Sequence, residues 1–151
     1  MKKILFILIA IVLTACSAMG SPTPSSDFDR AQQKWQDANI SHYRFKLSIS
    51  CFCVFTQDMP LVIEVQDGEV VSMGYQSGNE IDAANLELFQ RYATIDRIFE
   101  ELEKALGGDA DEVTVTYDET YGFPTQANID FDLQAADEEI YLTISEFEAL
   151  P

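Results

Sequence analysis

Cys51-Phe52-Cys53 is the stretch whose residue types and spacing come nearest to chemistry. Two thiols one residue apart can close a local disulfide, stay free, exchange with another thiol or hold a soft metal such as Cu(I). Residues i and i+2 of a strand lie about 6.6 Å apart at Cα, whereas a disulfide prefers about 5.5–6 Å, so a bridge requires the backbone to turn. Closing so small a ring contributes only about 1.5 kcal/mol by loop entropy. A structural disulfide is the default in an oxidising compartment, with free or strand-buried thiols and a redox or soft-metal role as the alternatives. His42, the only histidine, stands nine residues before Cys51, and Met59 and Met73 suit a core as well as a metal. The redox alternative lacks a Cys-x-x-Cys opening a helix. No cofactor is implied.

Other reaction classes find less support. A Ser-His-Asp triad would have to use His42, and no Gly-x-Ser-x-Gly elbow is present. With 26 acidic residues, carboxylate pairs of any spacing occur by chance, so they do not identify a glycosidase. Asp109-Ala-Asp111 and Asp130-Phe-Asp132 resemble fragments of calcium loops but lack the full Asp-x-Asp-x-Asp-Gly run with its closing Glu, and no metal site is expected. Tyr117-Asp118 followed by Tyr121-Gly122-Phe123-Pro124 places two tyrosines, a carboxylate and a Gly-x-Pro turn at one hairpin tip. Such a tip either closes the hairpin, with Tyr117 packing, Asp118 holding the turn and Pro124 fixing its exit, or displays a binding loop.

The amino terminus gives an address. Lys2 and Lys3 precede the apolar run Ile4 to Val12, and Leu13-Thr14-Ala15 precedes Cys16. This is the pattern of a bacterial lipoprotein signal, too short to span a bilayer, in which residues 1–15 are removed and Cys16 is lipidated. Residues 16–26 then form a lipidated, flexible tether whose ten residues after Cys16 reach about 30 Å. Residues 27–151 fit a single acidic domain. The expected setting is the cell envelope, lipid-anchored in the bilayer through Cys16; Ser17, rather than Asp, fits an outer membrane facing the periplasm if the cell is Gram-negative.

Charge sharpens the class of partner. The chain holds 26 acids and 9 bases; loss of Lys2 and Lys3 leaves 7 minus 26, or −19, and no Lys or Arg follows Lys104. Such a surface repels phosphate backbones, which excludes nucleic acid. It suits a basic partner, a divalent cation, or simply a solvated surface that resists aggregation.

The elements that must position these residues follow from periodicity. Phe28, Ala31, Trp35 and Ala38 recur at helical spacing behind the caps Ser25 or Ser26. Tyr43 to Ile49 alternates as a strand, and Leu61–Val65 and Val70–Met73 flank Asp67-Gly68 as a hairpin. A short helix is expected around Ala84 to Arg91. Thr94 caps another whose apolar stripe runs Ile95, Ile98, Phe99, Leu102, Leu106 until Gly107-Gly108 stops it. Strands follow at Glu112–Tyr117, Gln126–Phe131 and Glu139–Ile144, with a loop through Pro124. The order predicts an α+β fold, an antiparallel sheet with helices packed on one face, arranged as two helix-plus-three-strand units.

Together, Trp35, Tyr43-Arg44-Phe45, Cys51-Phe52-Cys53, Val65 through Asp67-Gly68 to Val70, Thr94-Ile95-Asp96 before Phe99, and Tyr117-Asp118 before Tyr121-Gly122-Phe123-Pro124 resemble a family of small bacterial envelope proteins grouped as domain of unknown function 6174. The resemblance spans nearly the whole domain. It implies an envelope lipoprotein or secreted protein with no assigned activity, so no catalytic residue is carried over. The layout is also similar, at fold level alone, to peptidase-inhibitory and β-lactamase-inhibitory modules. The expected function is therefore a non-catalytic binding or inhibitory module acting on an unidentified envelope protein, with thiol-redox or soft-metal binding at Cys51 and Cys53 as the alternative.

Overall fold

The computed structural model describes residues 26–135 and 137–151. Cys16 and its tether up to Ser25 lie outside the described residues. Ser26 opens helix α1 (Asp27–Ala38) with a capping box, its hydroxyl accepting from the Asp29 amide while the Asp29 carboxylate accepts from the Ser26 amide. Asn39 ends the helix in the left-handed region at φ 48°. Strand β1 (His42–Ser50) alternates cleanly, burying Tyr43, Phe45, Leu47 and Ile49. Strands β2 (Leu61–Gln66) and β3 (Glu69–Tyr75) join through Asp67 and Gly68, both at positive φ, the two-residue turn that matches strand twist.

Helix α2 (Ala83–Arg91) is capped by Asp82, and α3 (Ile95–Lys104) by Thr94, whose hydroxyl accepts from the Arg97 amide at 3.1 Å. Strands β4 (Glu112–Tyr117), β5 (Pro124–Asp130) and β6 (Glu139–Ala149) complete the chain. All six strands form one antiparallel sheet in the order β3-β2-β1-β6-β5-β4. The fold is α+β, as the sequence predicts. Each three-strand unit is a meander, and the two meet through β1 and β6. The first strand of one unit and the last strand of the other are central, so equivalent strands occupy different places.

The strands bury one face under the helices, and the opposite face is polar. On that open face Arg44 pairs with Glu148 at 2.7 Å and Lys46 with Glu146 at 2.6 Å, exposed contacts worth little to stability. The helix side is aromatic. Trp35 meets Tyr43, Phe123 and Phe147 edge to face at 5.3, 6.3 and 5.8 Å between ring centres, and its indole N–H donates to Asp96 Oδ1 at 3.0 Å. The buried Tyr43 hydroxyl accepts from the Ile95 amide at 3.1 Å, satisfying one of the first N–H groups of α3.

Three details differ from the sequence expectation. Leu106 does not continue the α3 stripe: residues 105–109 form a π turn, which seats Ala105 in the core and leaves Leu106 49% exposed. Pro124 is not loop but the first, buried residue of β5, a position that needs no ladder donor. Strand β6 runs five residues past Ile144. A register shift opposite Arg44/Lys46, with Glu146 at φ 49°, breaks the period-2 pattern, so Phe147 returns to the aromatic side three residues after Ile144.

Burial pushes the Tyr43 hydroxyl well above the ordinary tyrosine range, with Asp96 adding to the shift and the Ile95 amide opposing it. An unfolded tyrosine ionises near pH 10, so the folded state keeps this proton over a window in which the unfolded state loses it. Stability is therefore full below about pH 10 and falls as pH rises through that window. Tyr43→Phe should cost about 1–3 kcal/mol at neutral pH by leaving the Ile95 amide unpaired. It should also flatten the alkaline loss, read from urea unfolding between pH 7 and pH 11; parallel profiles for the two proteins would refute this.

Gly122 gives a second test, because it sits at φ 83° with an added Cβ falling 2.4 Å from the Ala31 carbonyl oxygen and 2.9 Å from Lys34 Cβ. Gly122→Ala should lose about 3 kcal/mol or more through overlap and positive φ together. Gly78→Ala, at φ 82° with open space around it, should lose only about 1 kcal/mol. Equal urea midpoints for the two variants would show that Gly122 does not hold α1 to the sheet.

Candidate functional site

The hairpin tip between β4 and β5 is built into the fold. Asp118 Oδ1 accepts from the amides of Thr120 and Tyr121 at 2.9 and 2.6 Å, and the Asp118 amide donates to the Phe123 carbonyl at 2.8 Å. Gly122 is pressed on α1, Lys34 Nζ donates to the Glu119 carbonyl, and Phe123 stacks on Phe147 at 4.5 Å. Tyr117 stacks on Phe99 at 6.4 Å, and Tyr121 leans on Phe147 at 5.7 Å. Tyr117, Asp118, Tyr121, Gly122 and Pro124 are thus brought together, but as a clasp over α1 whose polar groups are largely spent within the loop.

Cys51 and Cys53 are joined in a disulfide with a Cα separation of 5.1 Å. The strand stops at Ser50, and the Cys53 amide donates to the Cys51 carbonyl at 2.7 Å, so the turn required by geometry is present. Thr56 Oγ1 fastens the turn by donating to the Cys53 carbonyl at 2.9 Å. Phe52 and Val54 are thrown outward, 85% and 90% exposed. The soft-metal set is not assembled. His42 lies at the other end of β1, its Nε2 3.1 Å from Glu64 Oε1 and its Nδ1 3.0 Å from the Pro151 carbonyl. The Glu64 contact first, and the Pro151 carbonyl second, hold His42 above the usual imidazole range. Met59 and Met73 pack against the core. Among the described residues, no three His, Cys, Asp or Glu side chains gather where they could hold a metal ion. Asp111, Asp130 and Asp132 instead accept from backbone amides of the 132–134 turn.

A groove at the β4 edge is the cavity that sequence reasoning missed. It holds about 460 Å³, within the range of ligand pockets. Phe28 of α1, Leu106 of the π turn, and Val113, Val115 and Tyr117 of β4 form its apolar walls. Phe28 lies edge to face on Phe99 at 5.7 Å, extending the Phe99–Tyr117 stack beneath the groove. Asp27, itself paired with Arg30, and Asp29 and Glu103 supply the charge, and among the described residues no Lys or Arg lines it. Burial first, then the negative charge of Asp27 and Asp29, pushes the Tyr117 hydroxyl up to about 12. Ser26, the first of the described residues, forms part of the same lining. Gly107-Gly108 next to Leu106 was the available signal: a helix that unwinds at its last turn can present an apolar residue outward.

No curated protein and no solved structure shows significant similarity to this chain. The resemblance to inhibitory modules therefore remains one of layout. A family model matches residues 27–149, which is the whole sheet together with its helices. The chain belongs to the family of unknown function DUF6174.

Proposed function

We propose that this protein is a lipid-anchored binding module of the cell envelope, held to the bilayer through acylated Cys16, that recognises or inhibits a protein partner without catalysing a reaction. The groove at the β4 edge carries this reading. It is apolar inside, acidic around, and placed where a ten-residue tether enters the domain. No helix among the described residues is long and apolar enough to cross a membrane; in this reading the lipid on Cys16 supplies the attachment. Several acyl chains on one residue give lasting attachment where one alone gives little. The recognition surface shifts from the hairpin tip to the groove, because charge reversal at Asp118 would open a turn before it tested a partner.

A second reading rests on the half-buried disulfide and the exposed side chains beside it. Phe52 and Val54 offer an apolar landing beside Cys51 and Cys53, suited to an unfolded or dithiol-bearing partner. A partner thiolate attacks one sulfur and displaces the other; the partner's second thiolate then resolves the mixed disulfide. The partner leaves oxidised, and two electrons and two protons pass to Cys51 and Cys53.

Intact mass of the detergent-extracted protein tests the anchor: a chain beginning at Cys16 and carrying lipid mass is expected. An alkyne fatty acid should label wild type and not Cys16→Ser; equal labelling, or a chain beginning at Met1, would overturn it. For the disulfide, a Cys51→Ser, Cys53→Ser double variant should fold with a loss of at most about 1.5 kcal/mol, since the loop it closes is so short. If that folded variant also retains full function in the envelope, the redox reading fails.

A further inference from the structure

We infer that the groove receives an extended, basic segment of a partner protein, which adds to β4 as a seventh strand of the sheet. This rests on the binding-module reading and names its site and the chemistry of its partner.

Among the described residues, strand β4 is the last strand of the sheet and pairs with β5 alone. An edge strand presents a row of unpaired N–H and C=O groups. Its six residues, Glu-Val-Thr-Val-Thr-Tyr, favour strand and include no Lys, Pro or Gly, the residues that commonly blunt an edge. The opposite edge, β3, carries Gly74 and pairs with β2 through a register shift at Glu64/Val65.

What lies beneath β4 selects the side chains of the incoming strand. Val113, Val115 and Tyr117 are only half-buried: Phe99 of α3 stacks on Tyr117, and the groove takes up the space that remains beside them. A strand placed beside β4 would point alternate residues into the space between these side chains and the Phe28 and Leu106 walls. Those residues should be apolar. Their neighbours point to the opposite face, where Glu112 stands exposed, and should be Lys or Arg; the carboxylates of Asp27, Asp29 and Glu103 on the groove side favour the same net charge through space. Main-chain bonds would give the affinity, and the apolar groove and acidic rim the selectivity. Six residues of β4 accommodate about 20 Å of partner strand.

A second copy of the chain is a poorer occupant. Pairing β4 with β4 would press two domains of the same strong negative charge together.

The test uses the detergent-solubilised mature lipoprotein and four blocked octapeptides: alternating Val and Lys, two forms of it N-methylated at one or the other set of alternate residues, and alternating Val and Glu. In fluorescence anisotropy at low salt, the Val/Lys peptide should bind. N-methylation on the edge that faces β4 removes its donors and should weaken binding about tenfold or more. The Val/Glu peptide should not bind. Leu106→Lys changes a half-exposed side chain, so the fold should persist while binding of the Val/Lys peptide falls about tenfold. Binding that survives both the N-methylated peptide series, with either set of alternate residues blocked, and Leu106→Lys would overturn the proposal. So would no binding of Val/Lys, or a concentration-dependent dimer broken by Leu106→Lys. A photo-crosslinking residue placed in cells at Leu106 or at Phe52 separates the two levels of inference. Crosslinks at Phe52 alone would reject the groove and leave a binding module; crosslinks at neither would reject the module itself.

Discussion

Trp35 is the point at which the separate elements become one domain. Its ring contacts β1 through Tyr43, the 118–123 clasp through Phe123 and the end of β6 through Phe147, while its N–H reaches Asp96 in the first turn of α3. Tyr43 repeats the connection from the sheet by accepting the Ile95 amide. A helix start leaves N–H groups without intrahelical partners, and buried polar groups must be paired. The α3 terminus is therefore usable inside the core because Thr94, Tyr43 and Trp35 meet it together. Aromatic packing and hydrogen bonding here impose one mutual placement of α1, α3 and the sheet centre.

That constraint explains features that carry the family resemblance in the sequence. Trp35, Tyr43 and Thr94-Ile95-Asp96, separate in the chain, form one cluster. The Tyr-Gly-x-Pro phrase is a clasp that lets the β4–β5 tip approach α1 closely enough to exclude a side chain at Gly122. In both cases the demand for residue type comes from packing geometry, and chemistry on a substrate is not needed to account for it.

Local order was well written in the sequence wherever one period or one turn residue decided it. The Asp67-Gly68 hairpin, the Thr94 cap and the alternation of β1 all depend on neighbours within a few residues. Two of the departures hang on a single inserted residue each. One extra residue in the turn at 105–109 rotates Leu106 out of its stripe, and the shift near Glu146 moves Phe147 by one position. Such phase slips are set by what lies across the sheet or beneath the helix, which no local period records. The groove was hidden for the same reason. Val113 and Val115 fall in the expected strand Glu112–Tyr117, and their partial exposure depends on where α1 begins and α3 ends.

The acidity of the carboxyl-terminal half takes on a second meaning beside an open edge. An exposed strand of high β propensity invites pairing with any extended chain, its own copies included. Lysines on the edge would deter this generally, but the chain has no Lys or Arg beyond Lys104. Uniform negative charge deters it selectively. Like domains repel as they approach within a Debye length, about 8 Å at physiological salt, while a cationic strand is drawn in. Discrimination between partners can come from repelling the wrong one as much as from holding the right one. A charge that opposes pairing between copies would thus also make the open edge selective.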